Sequence, residues 1–254
     1  SRAVQRFARG QRPARDATIA PVTTDPQEPL ERFDEVRRAL EARWPETRIS
    51  PTLDRIRTLT QYLGDPQRAF PVIHVTGTNG KTSTARMIDA LLRELGLRVG
   101  RFTSPHLSSV RERIAIDGEP ISADAWVRTW EDIAPYIAMV DGELVTSGKY
   151  GVGGELSFFE VLTAMAFAAF ADAPVDVAVL EVGMGGEWDS TNVVDAEVAV
   201  ISPVALDHER WLGHTLAEIA TVKSGIIKPG ATVVSAAQED EVSEVIAGAA
   251  AATG

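Results

Sequence analysis

The stretch HVTGTNGKTSTARM at residues 74–87 decides the fold of this 254-residue chain. The apolar, β-branched run FPVIHVTG at 70–77 predicts a buried strand, and KTSTARMIDALLRELG at 81–96 has the pattern of a helix that ends on Gly96. A glycine-rich turn between a strand and a helix lets backbone N–H groups and the helix N-terminus face an anion. The stretch therefore predicts a phosphate-binding loop at 77–82.

This loop departs from the common spacing G-x-x-x-x-G-K-[ST], which needs a glycine where the chain has Val75. A Gly-Lys-Thr sequence also arises by chance, and an ordinary turn capped by Asn79 is the alternative. The strand–loop–helix context favours phosphate binding, with Lys81 as the point charge. The hydroxyl of Thr82 or Ser83 is then predicted to reach a metal ion or a phosphate oxygen.

Runs with strand and helix patterns alternate along the rest of the chain. Strands are predicted at 97–103, 175–183, 196–204 and 231–237, with a hairpin at 113–122 about Asp117-Gly118, and helices at 29–44, 50–64, 123–140, 157–171, 215–230 and 239–254. Continuous apolar strands are typical of parallel sheets covered on both faces. The pattern predicts an α/β fold: a doubly wound, mostly parallel sheet with a phosphate loop and helices on both faces.

Two local predictions concern helix geometry. Ser50 is predicted to cap the 50–64 helix, with Pro51 at its first helical position. Pro135 is predicted to kink the 123–140 helix, because proline removes an N–H donor from the helix interior.

Composition excludes several classes of protein. The chain has no cysteine, so it has neither disulfides nor thiolate metal sites. No apolar run approaches the length of a membrane span, and the net charge of −11 disfavours non-specific nucleic-acid binding. Residues 1–29 are arginine-rich without an apolar core, so we expect a solvated N-terminal extension, with a transit peptide as the alternative. A cytoplasmic protein is expected.

Polar residues follow or interrupt the later strands, at the sheet edge where ligands bind in open α/β folds. Ser104 closes the 97–103 strand, Glu181 interrupts the apolar run VAVLEVG, and Asp207-His208 follows the 196–204 strand. A carboxylate held for Mg²⁺ is one interpretation of Glu181, and a solvent-facing edge position is the other. His208 is either a structural hydrogen-bonding group or a metal ligand, and a surface position is the default for Lys223.

Five motifs resemble the folylpolyglutamate synthase/dihydrofolate synthase family of Mur-type amide ligases, over about residues 30–250. In order they are GTNGKTS (77–83), TSPHL (103–107), LSFFEVLTA (156–164), LEVGMGGEWDSTN (180–192) and LDHERWLGHTLAEIATVKSGIIK (206–228). The Mur-type loop is characteristically G-T-N-G-K, without a glycine at the position of Val75. The resemblance implies a fold of the Mur ligase central-domain type, with 30–254 as the ATP-binding domain.

The resemblance implies an ATP-driven ligase that adds L-glutamate to dihydropteroate or folate through an acyl phosphate. Thr78, Asn79, Gly80, Lys81, Thr82 and Ser83 are then expected to hold the ATP phosphates. Ser104, Glu181 and His208 match the family's Mg²⁺ ligands. Lys81, Lys223 and His208 are expected to be catalytic, and Lys223 matches a lysine that the family carbamylates to help hold a second metal ion. Since carbamylation needs a neutral amine, we expect a depressed pKa for Lys223.

Ile49, Ser50, Pro51, Ser157 and Asp189 fall where the family contacts its pterin substrate. The chain differs from the family's usual GGRLDATN at 185–192, which here reads GGEWDSTN, and Thr82 replaces the usual glycine after the loop lysine.

The resemblance also implies a C-terminal domain that completes the ATP and glutamate sites, and this chain does not represent it. We expect a monomer whose isolated ATPase part has little ligase activity. A muramyl-peptide ligase of the same superfamily and a non-catalytic nucleotide-binding domain are the alternatives.

Overall fold

A computed structural model describes residues 28–46, 48, 50–149 and 154–254. Its centre is a seven-stranded sheet with the order β4-β3-β2-β5-β1-β6-β7. The strands are β1 Val72–Thr76, β2 Val99–Phe102, β3 Ile114–Ile116, β4 Glu119–Pro120, β5 Val177–Glu181, β6 Val198–Ile201 and β7 Thr232–Ser235. Strands β2, β5, β1, β6 and β7 pair in parallel, and β3 and β4 add an antiparallel edge.

Eight α-helices surround this sheet in the described part of the chain. They are α1 Glu28–Glu41, α2 Asp54–Tyr62, α3 Lys81–Glu94, α4 Ala123–Ser147, α5 Phe158–Asp172, α6 Glu209–Leu212, α7 Leu216–Ser224 and α8 Asp240–Thr253. Short 3₁₀ helices lie at Pro66–Arg68, Val110–Arg113 and Ser190–Val193. Helix α1 begins at Glu28, inside the range predicted as an extension, and the rest of that range lies outside the described residues.

Both faces of the sheet are covered, because alternate residues of each strand enter different cores. On β1, Ile73 and Val75 pack with Ala85 of α3, whereas Val72 belongs to the large core that includes the apolar helix α5. A third core joins β6 to α7 and α8 on the same face as the large core, since Ala199 of this third core pairs with His74, which shares its face with Val72. The predicted doubly wound sheet is confirmed.

The hairpin turn is where the sequence placed it. Asp117 has φ +54° and Gly118 has φ +87°, the backbone region that asparagine, aspartate and glycine tolerate best. Each of the other predicted strands is present but shorter at its ends, which is the usual error in strand boundaries.

Two helix predictions were wrong in detail. Helix α2 begins at Asp54 after Leu53, so neither Ser50 nor Pro51 starts it. Helix α4 continues through Pro135 to Ser147, past the predicted end at residue 140, and its apolar residues stay buried on both sides of the proline. Packing against the large core therefore outweighs the lost backbone hydrogen bond. The kink at Pro135 stays a prediction.

Within the described ranges, no helix is both long enough and apolar enough to cross a bilayer.

Candidate active site

The loop between β1 and α3 depends on a close backbone approach. Gly77 has φ +140°, and an added Cβ would lie 2.0 Å from Ser202 Oγ and 2.8 Å from the Ser202 carbonyl oxygen. Gly80 is the N-cap of α3 in the left-handed region and makes no side-chain cap bond. The N-cap of α3 is therefore Gly80 and not Asn79, so the cap assumed in the alternative of an ordinary turn is wrong.

The loop is tied to the segment that follows β6. The backbone N–H groups of Thr78 and Asn79 donate to the Pro203 carbonyl at 3.0 and 3.3 Å. Thr78 Oγ1 donates to the Ala205 carbonyl and accepts from the Ala205 N–H, both at 3.0 Å. Thr78 thus fixes the loop, while Asn79 and Gly80 are exposed toward solvent.

Two lysine ammonium groups share one carbonyl oxygen at the start of this loop. Lys81 Nζ lies 3.2 Å from the Gly77 oxygen and 3.4 Å from the Thr78 oxygen, and Lys223 Nζ lies 2.8 Å from the Gly77 oxygen. Lys223 is only 4% exposed, so the default surface position is wrong. Burial, together with the nearby charge of Lys81, lowers the pKa of Lys223 to about 8, and the predicted depression is confirmed.

Glu181 ends strand β5 beside the same loop. It is 1% exposed, so the solvent-facing interpretation is wrong. Thr82 Oγ1 donates to its two carboxylate oxygens at 2.8 and 3.0 Å, and the Ser104 N–H donates at 3.2 Å. Burial raises the pKa of Glu181, and the bonds from Thr82 and Ser104 oppose that rise. The Thr82 hydroxyl thus faces this carboxylate, whereas Ser83 is exposed.

The donor chemistry here suits Mg²⁺. That ion prefers hard oxygen ligands and commonly takes one or two carboxylates together with substrate phosphates and water. Glu181 and Thr82 offer such oxygens. Among the described residues, no three His, Cys, Asp or Glu side chains cluster closely enough to form a metal site by themselves. The His208 side chain is 54% exposed and faces Asp207, with Nε2 3.6 Å from Oδ2.

The loop opens onto a cleft of about 570 Å³. Of the predicted site residues, Lys81, Ser104, His208, Ser50, Ser157 and Asp189 line it. The buried Glu181 and Lys223 lie behind its wall, joined to it through Thr82, Ser104 and Gly77. Pro51 is exposed and is not a lining residue, and Ile49 lies outside the described residues.

The side of the cleft that contains Ser50 and Ser157 is held by a buried ion pair. Ser157 caps α5 in a capping box with Glu160. Arg55 Nε donates to the two Glu160 oxygens at 2.9 and 3.1 Å, and the Arg55 guanidinium donates to Ser50 Oγ at 3.0 Å. Ser50 thus contributes to the cleft through Arg55 rather than as a helix cap.

Asp189 is 5% exposed and caps the 3₁₀ helix at Ser190–Val193. The N–H groups of Met184 and Thr191 each donate to one of its oxygens at 2.9 Å, and the Thr191 hydroxyl donates to it as well. Burial raises the pKa of Asp189, and these hydrogen bonds oppose the rise.

Sequence reasoning missed the aromatic and cationic residues of the cleft. Arg48 and Arg55 each lie over the Trp44 ring, with the guanidinium carbon 5.1 Å from the ring centroid. Trp188, which replaces the family's leucine, also lines the cleft, whereas Glu187 is exposed. The sequence carries one signal for this part of the cleft: the S-x-x-E spacing of Ser157 and Glu160 is typical of a capping box.

No protein-family model matches the chain. The chain is 55% identical over 218 residues to the dihydrofolate synthase/folylpolyglutamate synthase of Mycobacterium tuberculosis, covering 84% of this chain and 45% of that relative. A solved structure of Mycobacterium tuberculosis folylpolyglutamate synthase complexed with ADP matches with TM-score 0.81 at 49% identity, covering 89% of this chain and 49% of that one. An FPGS–AMPPCP–folate complex matches with TM-score 0.79 at 40% identity, covering 87% of this chain and 52% of that one. The chain therefore spans about half the length of these proteins.

Proposed function

The chain belongs to the folylpolyglutamate synthase/dihydrofolate synthase family, and on that premise we propose that it is the ATP-binding part of a glutamate ligase. The complete protein would join L-glutamate to dihydropteroate, to folate or to its glutamylated forms. One observation carries the proposal: the loop lysine Lys81 lies in the same cleft as Ser50, Ser157 and Asp189. A phosphate-binding group and a candidate substrate wall thus face each other.

The proposed reaction has two steps. A substrate carboxylate oxygen attacks the γ-phosphorus of ATP, and the bond from that phosphorus to the β,γ-bridging oxygen breaks. The products are ADP and an acyl phosphate. The glutamate amine then attacks the acyl carbon, inorganic phosphate leaves, and the amine loses a proton as the amide forms. The first step brings anions together, so positive charge at the transferring phosphoryl group is needed.

The residues of this chain supply that charge and the positioning. Lys81 and the N-terminus of α3 attract the phosphates. Arrival of a phosphate gives the Lys81 ammonium a stronger partner than the Gly77 and Thr78 carbonyls, which it now contacts at 3.2 and 3.4 Å. Glu181, aligned by Thr82, would hold Mg²⁺, with Ser104 and His208 as further candidate ligands. When bound, that ion offsets the negative charge of the phosphates.

Lys223 has the chemistry required of a carbamylated lysine. It is buried on α7, donates to the Gly77 carbonyl of the loop and has a pKa of about 8, so a substantial fraction of its amine is neutral in mildly alkaline solution. Carbamylation would convert the cation into an anionic oxygen ligand for a second metal ion. We propose this modification for the working enzyme.

Three further proposals follow from the family. Residues 30–254 form the ATP-binding domain, and a glutamate-binding domain completes the cleft in the full protein. This part alone has little ligase activity. The full protein works on small molecules as a cytoplasmic monomer.

The test is release of ADP and phosphate by a protein that contains this chain together with the remainder found in its relatives. Mg-ATP and L-glutamate are supplied with dihydropteroate, tetrahydrofolate or a muramyl substrate in turn. Turnover with either pterin is expected and shows which step the enzyme performs. Turnover with the muramyl substrate alone, or nucleotide binding without any turnover, would overturn the proposal in favour of a muramyl ligase or a binding domain.

A further inference from the structure

A chain of buried polar side chains runs from β1 to the wall of the cleft. His74 and Thr191 are fully buried, and Asp189 is 5% exposed at the cleft. His74 Nε2 lies 2.8 Å from Thr191 Oγ1, which in turn contacts Asp189 Oδ1. The chain thus joins a strand of the sheet to a candidate substrate contact.

The chemistry fixes the direction of both hydrogen bonds. The Asp189 oxygens already accept the N–H groups of Met184 and Thr191, so the carboxylate is the acceptor and the Thr191 hydroxyl is the donor. The Thr191 oxygen must then accept a hydrogen bond from His74, which places the ring proton of His74 on Nε2.

The surroundings of His74 agree with this tautomer. Nδ1 is buried and has no hydrogen-bond partner among the described residues. A buried N–H without an acceptor costs more than a bare imidazole nitrogen, which favours leaving Nδ1 unprotonated. Burial, assisted by the charge of Lys228, lowers the pKa of His74 to about 3, so the ring is neutral near neutral pH.

We infer that His74 is a positioning residue, which fixes the Asp189 carboxylate at the cleft wall through the Thr191 hydroxyl. Its side chain is fully buried and does not line the cleft, so it acts through Thr191. His74 also lies on β1, three residues before Gly77, so the strand that presents the phosphate loop also orients the substrate wall.

The inference deepens the proposed function, because the ligand of Asp189 rests on that proposal. A carboxylate held rigid at a cleft wall recognises neighbouring N–H donors on a flat ring, as in the aminopyrimidine edge of a pterin. Without His74, the Thr191 hydroxyl can turn away, and the carboxylate loses one of its donors.

The first test uses this chain and needs no substrate. Nitrogen NMR of the histidine side chains should find His74 neutral, with the proton on Nε2 and none on Nδ1. A proton on Nδ1 would overturn the inference, since the Thr191 hydroxyl would then have to donate to His74 rather than to Asp189.

The second test follows the Asp189 carboxyl by carbon NMR during a pH titration. Replacing the histidine in His74→Leu, or the hydroxyl in Thr191→Val, should raise the pKa of Asp189, because a donor to the charged form is lost. His74→Gln places an amide N–H near the position of Nε2 and should restore the wild-type titration, whereas His74→Asn reaches only the Nδ1 position and should not. An unchanged Asp189 titration in Thr191→Val, or in folded His74→Leu and His74→Asn, would overturn the inference.

Binding measurements then separate this inference from the proposed function. Dihydropteroate should bind about tenfold more weakly to His74→Leu and Thr191→Val than to the wild type, with ADP affinity unchanged. Failure of the wild-type chain to bind any pterin would count against the proposed substrate, while the Asp189 titration would still decide the role of His74.

Discussion

Removing the Arg55 guanidinium tests how the substrate side of the cleft is held together. Arg55 is 2% exposed and Glu160 is 4% exposed, so the ion pair is buried. The guanidinium also donates to the Ser50 carbonyl at 3.1 Å, which anchors the segment before α2. In Arg55→Met the apolar volume is largely kept, but Glu160 loses its cation.

The expected cost follows from that geometry. Breaking a buried pair by removing one partner destabilises by about 3–5 kcal/mol, because an uncompensated charge stays in the interior. For a protein of this size, that loss lowers Tm by roughly 6–20 °C. Arg55→Met/Glu160→Gln removes both charges and should be less destabilised than Arg55→Met alone by more than about 1 kcal/mol.

The pH dependence of the stability loss in Arg55→Met gives a second test of the buried ion pair. Burial already raises the pKa of Glu160, and Arg55 opposes that rise. Without Arg55 the folded-state pKa lies further above its unfolded value, so ionisation of Glu160 costs stability as pH rises through the folded pKa. The deficit of Arg55→Met relative to wild type should therefore shrink as the solution is acidified from neutral pH.

Urea unfolding at several pH values measures both effects, with Arg55→Met/Glu160→Gln as the matched control. A free energy of unfolding within about 1 kcal/mol of wild type for Arg55→Met would refute the reasoning. So would a deficit independent of pH, because the penalty would then not come from the Glu160 charge.

Three further predictions concern the phosphate side. Gly77→Ala should lower the free energy of unfolding by about 3 kcal/mol or more and abolish ADP binding. The control is Gly230→Ala, at φ +75° with nothing within 4 Å of the added Cβ. It should lower the free energy of urea unfolding by only about 1–2 kcal/mol and keep ADP binding. Equal losses in the two variants would contradict the close-approach argument. Thr82→Val should raise the pKa of Glu181 and raise about tenfold the Mg²⁺ concentration needed for AMPPCP binding, because Glu181 loses its hydroxyl donor. Thr82→Ser keeps the hydroxyl and should change neither quantity. No difference between the two variants would count against the Thr82–Glu181 contact. Lys223 should take up labelled bicarbonate increasingly as pH rises through about 8, measured by carbon NMR, and uptake persisting in Lys223→Met would assign the carbamate elsewhere.

The sequence predicted the fold because its signals were local. The apolar runs that became β5 and β6 are continuous, the hairpin turn carries Asp117-Gly118, and the phosphate loop has a strand before it and a helix after it. Each of these depends on residues close together in the chain.

The site was only partly predictable, for a physical reason. Glu181 could be selected because a carboxylate inside an apolar run is costly unless it has partners. The Arg55–Glu160 pair could not, because its members are 105 positions apart and only packing of α2 against α5 joins them. Ser50 is instead bonded to Arg55, the same residue that pairs with Glu160, and the helix begins later, at Asp54.

The two sides of the cleft are built on different supports, and this bears on how substrate preference can diverge. The phosphate side rests on interior strands, where Val75 of β1 pairs in register with Glu181 of β5. The opposite wall is built from Trp44, Ser50 and Trp188, which lie in connecting segments that tolerate substitution far better than a central sheet does. If the proposed function holds, mutations in these connecting segments can change which acceptor binds, while the phosphate loop on the sheet stays unchanged. Such modularity makes this cleft a suitable starting point for directed evolution toward other carboxylic acids.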